Sequence, residues 1–264
     1  MTVEHRDEHI KHFTSELIPI ELRWQHMLET GETIPPQQLA PIFAEAKHDL
    51  MTVPGPNSDK RQALVPDWFD YWISLCTNYE GESAKRKLFE FGQIKSELEE
   101  KSWLMSGLLM LAGGEGHRGH RDAASIMQSK VSIVIFAFEE PEYLEQHKQR
   151  GEFLPLEVRL SMWNLCPKVH ILSVLPPKPI NISTEAHYEL LYKTSGASMQ
   201  FVENRDPYLK LKQVRRNSGI GFGTNVYESD FADLRTTDYV EKLMPDIDIE
   251  DMLSESINKS IMEI

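Results

Sequence analysis

The chain has 264 residues, of which 41% are hydrophobic and 26% are charged, and its formal net charge at pH 7 is −13. This length and composition are ordinary for a globular protein with one large domain or two small ones. The acidic balance argues against a protein that binds a nucleic-acid backbone or an anionic membrane surface, because both need a surface rich in lysine and arginine.

The N-terminal stretch "MTVEHRDEHIKHF" is charged and lacks the apolar segment of a secretory signal. No apolar run approaches the roughly 18 residues that a membrane span requires. The two cysteines, Cys76 and Cys166, lie far apart in the sequence, so their spacing suggests neither a disulfide framework nor a zinc-binding pair. We therefore expect a cytoplasmic protein without a membrane span.

The first hundred residues are predicted to be mainly helical. A segment with apolar residues three and four apart ends at Gly31, and the next, "PPQQLAPIFAEAKHDLM", begins with prolines that the start of a helix tolerates. Val53–Pro66 is predicted to be a loop. The aromatic stripe of "DWFDYWISLCTNY" is interpreted as core packing rather than a cofactor site, and "ESAKRKLFEFGQIKSELEEK" predicts a charged amphipathic helix.

From about Trp103 the pattern changes to strands alternating with helices. The predicted strands are Gly107–Ala112, Val131–Phe138, "KVHILSVLPP" and "ASMQFVE". The predicted helices are "RDAASIMQSK", "PEYLEQHKQRG", "PLEVRLSMWNLC", "STEAHYELLYKTSG" and "DPYLKLKQVRR".

This alternation predicts an α/β fold, a Rossmann-like parallel sheet with helices on both faces and ligands at the carboxyl ends of its strands. We expect a helical N-terminal region over residues 1–101, the Rossmann-like domain over 102–245, and a short acidic helical tail over 246–264.

The segment "GGEGHRGHRD", Gly113 to Asp122, follows the first of these predicted strands and raises three interpretations. Glycines 114, 116 and 119 match the G-x-G-x-x-G pattern of dinucleotide-binding loops, and Glu139 lies about where such proteins place a ribose-binding acid. Alternatively, one turn presents Glu115, His117 and His120 to a metal ion. Solvated loop histidines are a more ordinary interpretation of that spacing than a zinc site.

The third interpretation rests on the histidines, because His117-Arg118-Gly119-His120 resembles the signature of the HxGH nucleotidyltransferase superfamily. The resemblance is closest to cytidylyltransferases that act on choline phosphate, ethanolamine phosphate and glycerol phosphate; pantothenate synthetases and adenylyltransferases are more distant. Two imidazoles on one turn suit this chemistry, since they can donate hydrogen bonds to phosphate oxygens that gain negative charge in the transition state. The amino end of the following helix adds partial positive charge.

Further stretches, between about Trp103 and Met244, resemble segments of this family in the same order. The resemblance implies that His117 and His120 stabilise the transition state and that Lys148 or Arg150 grips the triphosphate. It also implies nucleotide contacts for Gly113, Gly114, Gly119, Glu139, Arg159, Asp206, Arg235, Thr236 and Thr237.

The resemblance further implies the cofactor and the partners. Mg²⁺ is expected to bridge the triphosphate oxygens, and no residue of the chain is assigned as a metal ligand. The expected partners are a nucleoside triphosphate, CTP before ATP, and a phosphorylated small-molecule acceptor, without nucleic acid. A homodimer is the oligomeric state considered.

The chain departs from the family pattern at several places. Gly113 and Gly114 stand where family members carry an aromatic residue and an aspartate, Asn204 replaces a histidine, and Asp230 replaces an arginine. Two alternatives stay open: a dinucleotide (NAD) site built from the three spaced glycines and Glu139, and an interaction module that has lost catalysis and binds a partner through its helical N-terminal region.

Overall fold

The computed structural model describes residues 23–52, 58–81, 87–111, 113–142, 144, 154–203 and 224–227. Residue contacts divide the chain into two compact units. The helical unit comprises residues 1–86, 151–166 and 236–264, and the sheet unit comprises residues 87–150 and 167–235. The three continuous domains expected from the sequence stay a prediction.

The described helices and strands have the following bounds. The helices are α1 (Arg23–Thr30), α2 (Pro36–Thr52), α3 (Ser58–Thr77), α4 (Ile94–Glu100), α5 (Arg118–Gln128), α6 (Leu156–Leu165) and α7 (Thr184–Ser195), with a 3₁₀ turn at Phe91–Gln93. The strands are β1 (Leu88–Glu90), β2 (Ser106–Leu111), β3 (Ile133–Phe138), β4 (Ile171–Val174), β5 (Met199–Glu203) and β6 (Thr224–Tyr227).

The helical unit is built around the aromatic residues of α3. Trp68, Phe69 and Trp72 are at most 1% exposed, as the core-packing interpretation predicted. The predicted loop Val53–Pro66 was wrong from residue 58 onward, because α3 starts at Ser58 and continues through Pro66. An internal proline costs a helix about 3 kcal/mol, and burial of the aromatic side chains that follow offsets that cost.

The described residues of the sheet unit form six parallel strands in the order β1-β4-β3-β2-β5-β6. Counted from β2, the order β4-β3-β2-β5-β6 is the 3-2-1-4-5 arrangement of doubly wound nucleotide-binding sheets. The predicted fold class, an α/β Rossmann-like parallel sheet with flanking helices, is therefore confirmed. β2 and β3 run side by side in register from Ser106↔Ile133 to Leu111↔Phe138.

Local sequence signals account for several elements of this unit. Alternate residues of β3, Ile133, Ile135 and Ala137, pack in one core with apolar residues of α4 and α7. The helix α7 starts after Ser183, whose side chain accepts a hydrogen bond from the Ala186 N–H, and it ends at Gly196, both as predicted.

Two strands of the sheet differ from the prediction. The segment expected to be one amphipathic helix, residues 82–101, contains in its described part the strand β1, in which Leu88 pairs with Leu172 of β4. The spacing of the apolar residues in this segment also fits a helix. Residues 88–90 form a strand because they pair with β4 at the edge of the sheet. The strand β6, which pairs with β5, was not predicted. The predicted helix at 206–216 lies outside the described residues, and of the predicted helix at 141–151 only residues 141, 142 and 144 are described.

Both cysteines are buried and free, and burial raises the pKa of the Cys76 thiol to about 12. Of the helices that the structure describes, none combines the length and the apolar character that crossing a membrane requires.

Candidate functional site

The HxGH loop, residues 113–120, lies at the point of the sheet where the chain reverses its direction of winding. From β2 the chain adds β3 and β4 on one side, and it then returns to place β5 on the other side of β2. In open α/β sheets, ligands bind outside the carboxyl ends of the strands at this switch point. The loop follows the carboxyl end of β2 directly, so it lies where a ligand is expected.

The backbone of the loop depends on glycine. Gly114 and Gly116 have φ angles of 73° and 78°, a left-handed conformation that residues with a side chain rarely adopt. A Cβ on Gly114 would also collide with the ring of Phe138, and a Cβ on Gly113 would collide with the carboxyl group of Glu115. The positive φ and the contact with Phe138 therefore require a glycine at position 114, whereas at position 113 the Glu115 side chain would have to move.

The two histidines of the loop form a stacked pair. His117 is the residue before α5 and His120 lies in its first turn, and their ring centroids are 3.9 Å apart with planes inclined by 27°. The His117 carbonyl accepts hydrogen bonds from the N–H groups of His120 and Arg121, at 3.0 and 3.2 Å. His117 is only 3% exposed, so the interpretation as solvated turn histidines does not describe it.

A backbone hydrogen bond sets the tautomer of His120. The Gly116 N–H donates to its Nδ1 at 3.2 Å, so Nδ1 is an acceptor and the ring proton resides on Nε2. The imidazole of His120 is therefore oriented as an Nε2–H donor. It lies at the amino end of α5, the end of a helix that carries partial positive charge.

Glu139 lies next to this loop at the carboxyl end of β3. Its backbone N–H donates to the Leu111 carbonyl, the last residue of β2, at 3.0 Å. Its side chain is fully buried and accepts a hydrogen bond from the Tyr188 hydroxyl of α7. A dinucleotide site would need this carboxylate to exchange that hydrogen bond for hydroxyls of a ribose.

Sequence reasoning missed Tyr188 and His187, which α7 brings to this edge of the sheet. His187 is 2% exposed, and burial lowers its pKa, an effect that Glu139 and a hydrogen bond to Pro176 oppose. The two residues are far from Glu139 in the sequence, and neither belongs to a recognisable motif. The alternation of strands and helices places the start of α7 at the same edge of the sheet as the end of β3, but it does not give the strand order that brings Tyr188 to Glu139.

The other predicted site residues do not all fall in the described part of the sheet unit. Arg159 belongs to the helical unit, where it is fully buried and its Nε donates to the Leu154 carbonyl at 2.7 Å. Its role at a nucleotide stays a prediction. Six more residues lie outside the described residues: Lys148, Arg150, Asp206, Arg235, Thr236 and Thr237.

Within the described part of the chain, no group of three or more histidine, cysteine, aspartate or glutamate side chains is placed to hold a metal ion. The interpretation of Glu115, His117 and His120 as a three-ligand metal site gains no support from the geometry, because His120 uses its Nδ1 to accept from the Gly116 N–H. A cation at this loop would need ligands from a bound substrate as well.

Comparison with known proteins identifies no family for this chain. No family model matches the chain, and no curated protein matches it. Among solved structures, pantoate–β-alanine ligase from Francisella tularensis, complexed with β,γ-ATP and β-alanine, is similar over 64% of this chain and 82% of that chain. The sequence identity is 16% and the TM-score is 0.41, a likeness that assigns neither a family nor an activity to this chain.

Proposed function

We propose that this protein transfers a nucleoside monophosphate from a nucleoside triphosphate to a phosphorylated small molecule and releases pyrophosphate. CTP is the favoured donor and ATP the second. One observation carries the proposal: His117 and His120 are stacked at the amino end of α5, directly beyond the carboxyl end of β2 at the switch point of the sheet. Two imidazoles, a helix amino end and a glycine backbone together suit a site for phosphate oxygens.

In the proposed reaction, a phosphate oxygen of the acceptor attacks the α-phosphorus of the triphosphate. The bond from the α-phosphorus to the bridging oxygen of the β-phosphate breaks, and pyrophosphate leaves with that oxygen. The transition state gathers negative charge on the α-phosphate oxygens and on the bridging oxygen. His120, held as an Nε2–H donor by its hydrogen bond from the Gly116 N–H, donates a hydrogen bond to these oxygens. His117 stacks on the ring of His120, orients it, and stabilises the same negative charge.

The glycines of the loop have a spatial role in this proposal. Gly114 and Gly116 let the backbone turn sharply between β2 and α5, and Gly119 is buried in the first turn of the helix. The space that a Cβ would need at Gly113 is taken by the Glu115 carboxyl group, and at Gly114 by the Phe138 ring, so glycine at both positions lets the loop pack in this conformation. Lys148 or Arg150 would grip the phosphates, with nucleotide contacts from Glu139, Arg159, Asp206, Arg235, Thr236 and Thr237.

Mg²⁺ enters the proposal together with the triphosphate. Mg²⁺ would be held mainly by the phosphate oxygens of the triphosphate, with at most one or two protein carboxylates. When bound, the ion neutralises charge on the triphosphate.

The dinucleotide alternative has weaker support. It uses Gly114, Gly116 and Gly119 in the same loop, but it gives no role to the stacked histidines and requires the buried Glu139 carboxylate to leave Tyr188. The third alternative, an interaction module without catalysis, predicts that the protein responds to no nucleotide in the experiment that follows.

The test incubates the full chain with each nucleoside triphosphate and Mg²⁺ over a panel of phosphorylated alcohols and sugars, and follows pyrophosphate. We expect release that depends on one acceptor and that falls by about 10²- to 10³-fold in His117→Ala and His120→Ala. His48→Ala is the matched control, because His48 is an exposed residue of α2 in the helical unit. Stabilisation against heat by NAD, with none by CTP or ATP, would favour the dinucleotide site, and no response to any nucleotide would favour the interaction module.

A further inference from the structure

Arg118, which follows the first histidine of the HxGH loop, is the first residue of the helix α5. Its side chain is exposed, whereas His117 before it is 3% exposed. In an α-helix every Cα–Cβ bond tilts toward the amino end, so a side chain at the first helical position leans toward that end. An exposed guanidinium group therefore lies at the same helix end as the stacked histidines.

A nucleoside triphosphate needs positive charge at this loop, because the chain as a whole has a formal net charge of −13. The family resemblance assigns the grip on the phosphates to Lys148 or Arg150, which lie outside the described residues. It also assigns a nucleotide contact to Arg159, which is fully buried in the helical unit. Asp230 brings a negative charge where family members carry an arginine. A cation supplied by the loop itself would compensate for that arginine.

The first turn of α5 carries two arginines, and they differ in exposure. Arg121 is partly buried and its Nε is buried, whereas Arg118 is exposed to solvent. Asp122 lies four residues beyond Arg118 along the helix, and an exposed pair of opposite charges at that spacing is weak. A triphosphate, with several negative charges, can replace such a pair. Arg118 is therefore the arginine of this turn that a ligand in solvent can reach.

We propose that Arg118 binds the β- and γ-phosphates of the triphosphate while the two histidines act on the α-phosphate. The inference rests on the proposed function, because it assigns a contact to the substrate of that reaction. A guanidinium group stays charged and donates two parallel hydrogen bonds to phosphate oxygens. One helix turn then holds both the phosphate that is transferred and the pyrophosphate that leaves.

The experiment measures the affinity of the full chain for α,β-methylene analogues of CTP and ATP, and for CMP and AMP, by calorimetry in Mg²⁺ without an acceptor. For Arg118→Ala we expect the affinity for the triphosphate analogue to fall by about 10- to 100-fold, the effect of losing charge-assisted hydrogen bonds. The affinity for the monophosphate should stay the same, because a monophosphate has no β- or γ-phosphate. Pyrophosphate should compete less well with the analogue in Arg118→Ala than in the unmodified protein.

Lys130→Ala is the matched control, because it removes one positive charge from an exposed position two residues beyond the carboxyl end of α5. It should keep the triphosphate affinity of the unmodified protein. An equal loss of triphosphate and monophosphate affinity in Arg118→Ala, or a loss no larger than that of Lys130→Ala, would overturn the assignment of Arg118 and leave the proposed function standing.

Two other results separate this assignment from the proposed function. A selective loss of triphosphate affinity in Arg118→Ala, in a protein that releases no pyrophosphate with any acceptor, would support the assignment and contradict the proposed function. Absence of triphosphate binding by the unmodified protein would overturn both.

The variant Arg118→Lys guards against an alanine variant that does not fold. Lysine keeps the positive charge and has a helix propensity close to that of arginine, but it lacks the planar fork that donates two parallel hydrogen bonds. We expect Arg118→Lys to bind the triphosphate analogue more weakly than the unmodified protein and to bind the monophosphate equally well. A triphosphate affinity equal to that of the unmodified protein would contradict the assignment.

Discussion

The geometry of the HxGH loop predicts a large stability cost for Gly114→Ala. The φ of 73° is left-handed, and placing an L-residue there costs about 1–2 kcal/mol. The new Cβ would in addition collide with the ring of Phe138, which is fully buried and has little room to move. Overpacking of this kind costs about 1–3 kcal/mol, so we expect a total loss of about 2–5 kcal/mol in the free energy of unfolding.

The assay is urea unfolding followed by far-UV circular dichroism. Gly92→Ala is the control, because a Cβ at Gly92 meets no atom within 4 Å and the residue lies in a 3₁₀ turn with ordinary φ. An alanine there is expected to leave stability unchanged or raise it by about 0.4–1 kcal/mol. A Gly114→Ala protein as stable as the Gly92→Ala protein would refute the positions assigned to Gly114 and Phe138. Phe138→Leu should reduce the cost of Gly114→Ala, since it removes the ring that collides.

Two further predictions concern single histidines. In His120→Asn the amide oxygen replaces Nδ1 as the acceptor for the Gly116 N–H, but no donor replaces Nε2, so we expect an intact fold and a kcat for pyrophosphate release lowered by about 10²- to 10³-fold. His120→Gln places an amide donor near the position of Nε2 and should retain more activity than His120→Asn. Equal losses of kcat in the two variants would speak against Nε2 as the donor. The pKa of His170 is held below 6.5 by burial and by Lys87, and its Nδ1 accepts from the Val134 N–H at 3.1 Å. Because this pKa is lowered in the folded state, His170 contributes stability above pH 6.5 that is lost as the pH falls below that value. In the unmodified protein the urea midpoint should therefore fall between about pH 7 and pH 5, and in His170→Asn it should fall less. An equal fall in both proteins would contradict this prediction.

The elements that the sequence predicted are those with strong local signals. β3 is a run of β-branched and aromatic residues, and α7 carries a serine cap and a terminal glycine. β1 could not be predicted, because Leu88–Glu90 becomes a strand only through pairing with β4, which lies more than eighty residues later in the chain. The start of α3 was missed for a similar reason, since tertiary burial overrides its internal proline.

In the candidate site, too, local sequence patterns predicted some features, and tertiary contacts determined the others. The three-residue spacing of His117 and His120 predicted that one turn would bring them together, and they are stacked. The place of the loop at the carboxyl end of β2 followed from the alternation of strands and helices. The contacts of Phe138 with Gly114 and of Tyr188 with Glu139 could not be read from the sequence, because they depend on how neighbouring strands and α7 are placed in space.

The most direct test of the proposed function follows the α-phosphorus of the triphosphate by ³¹P NMR in the presence of Mg²⁺ and the acceptor panel. Nucleotidyl transfer predicts that the α-phosphorus signal moves into a new product joined to the acceptor phosphate while an equal amount of pyrophosphate appears. His117→Ala and His120→Ala should both suppress this change, and His48→Ala should not. Release of inorganic phosphate and a nucleoside diphosphate, or pyrophosphate formation that persists in both histidine variants, would contradict the account.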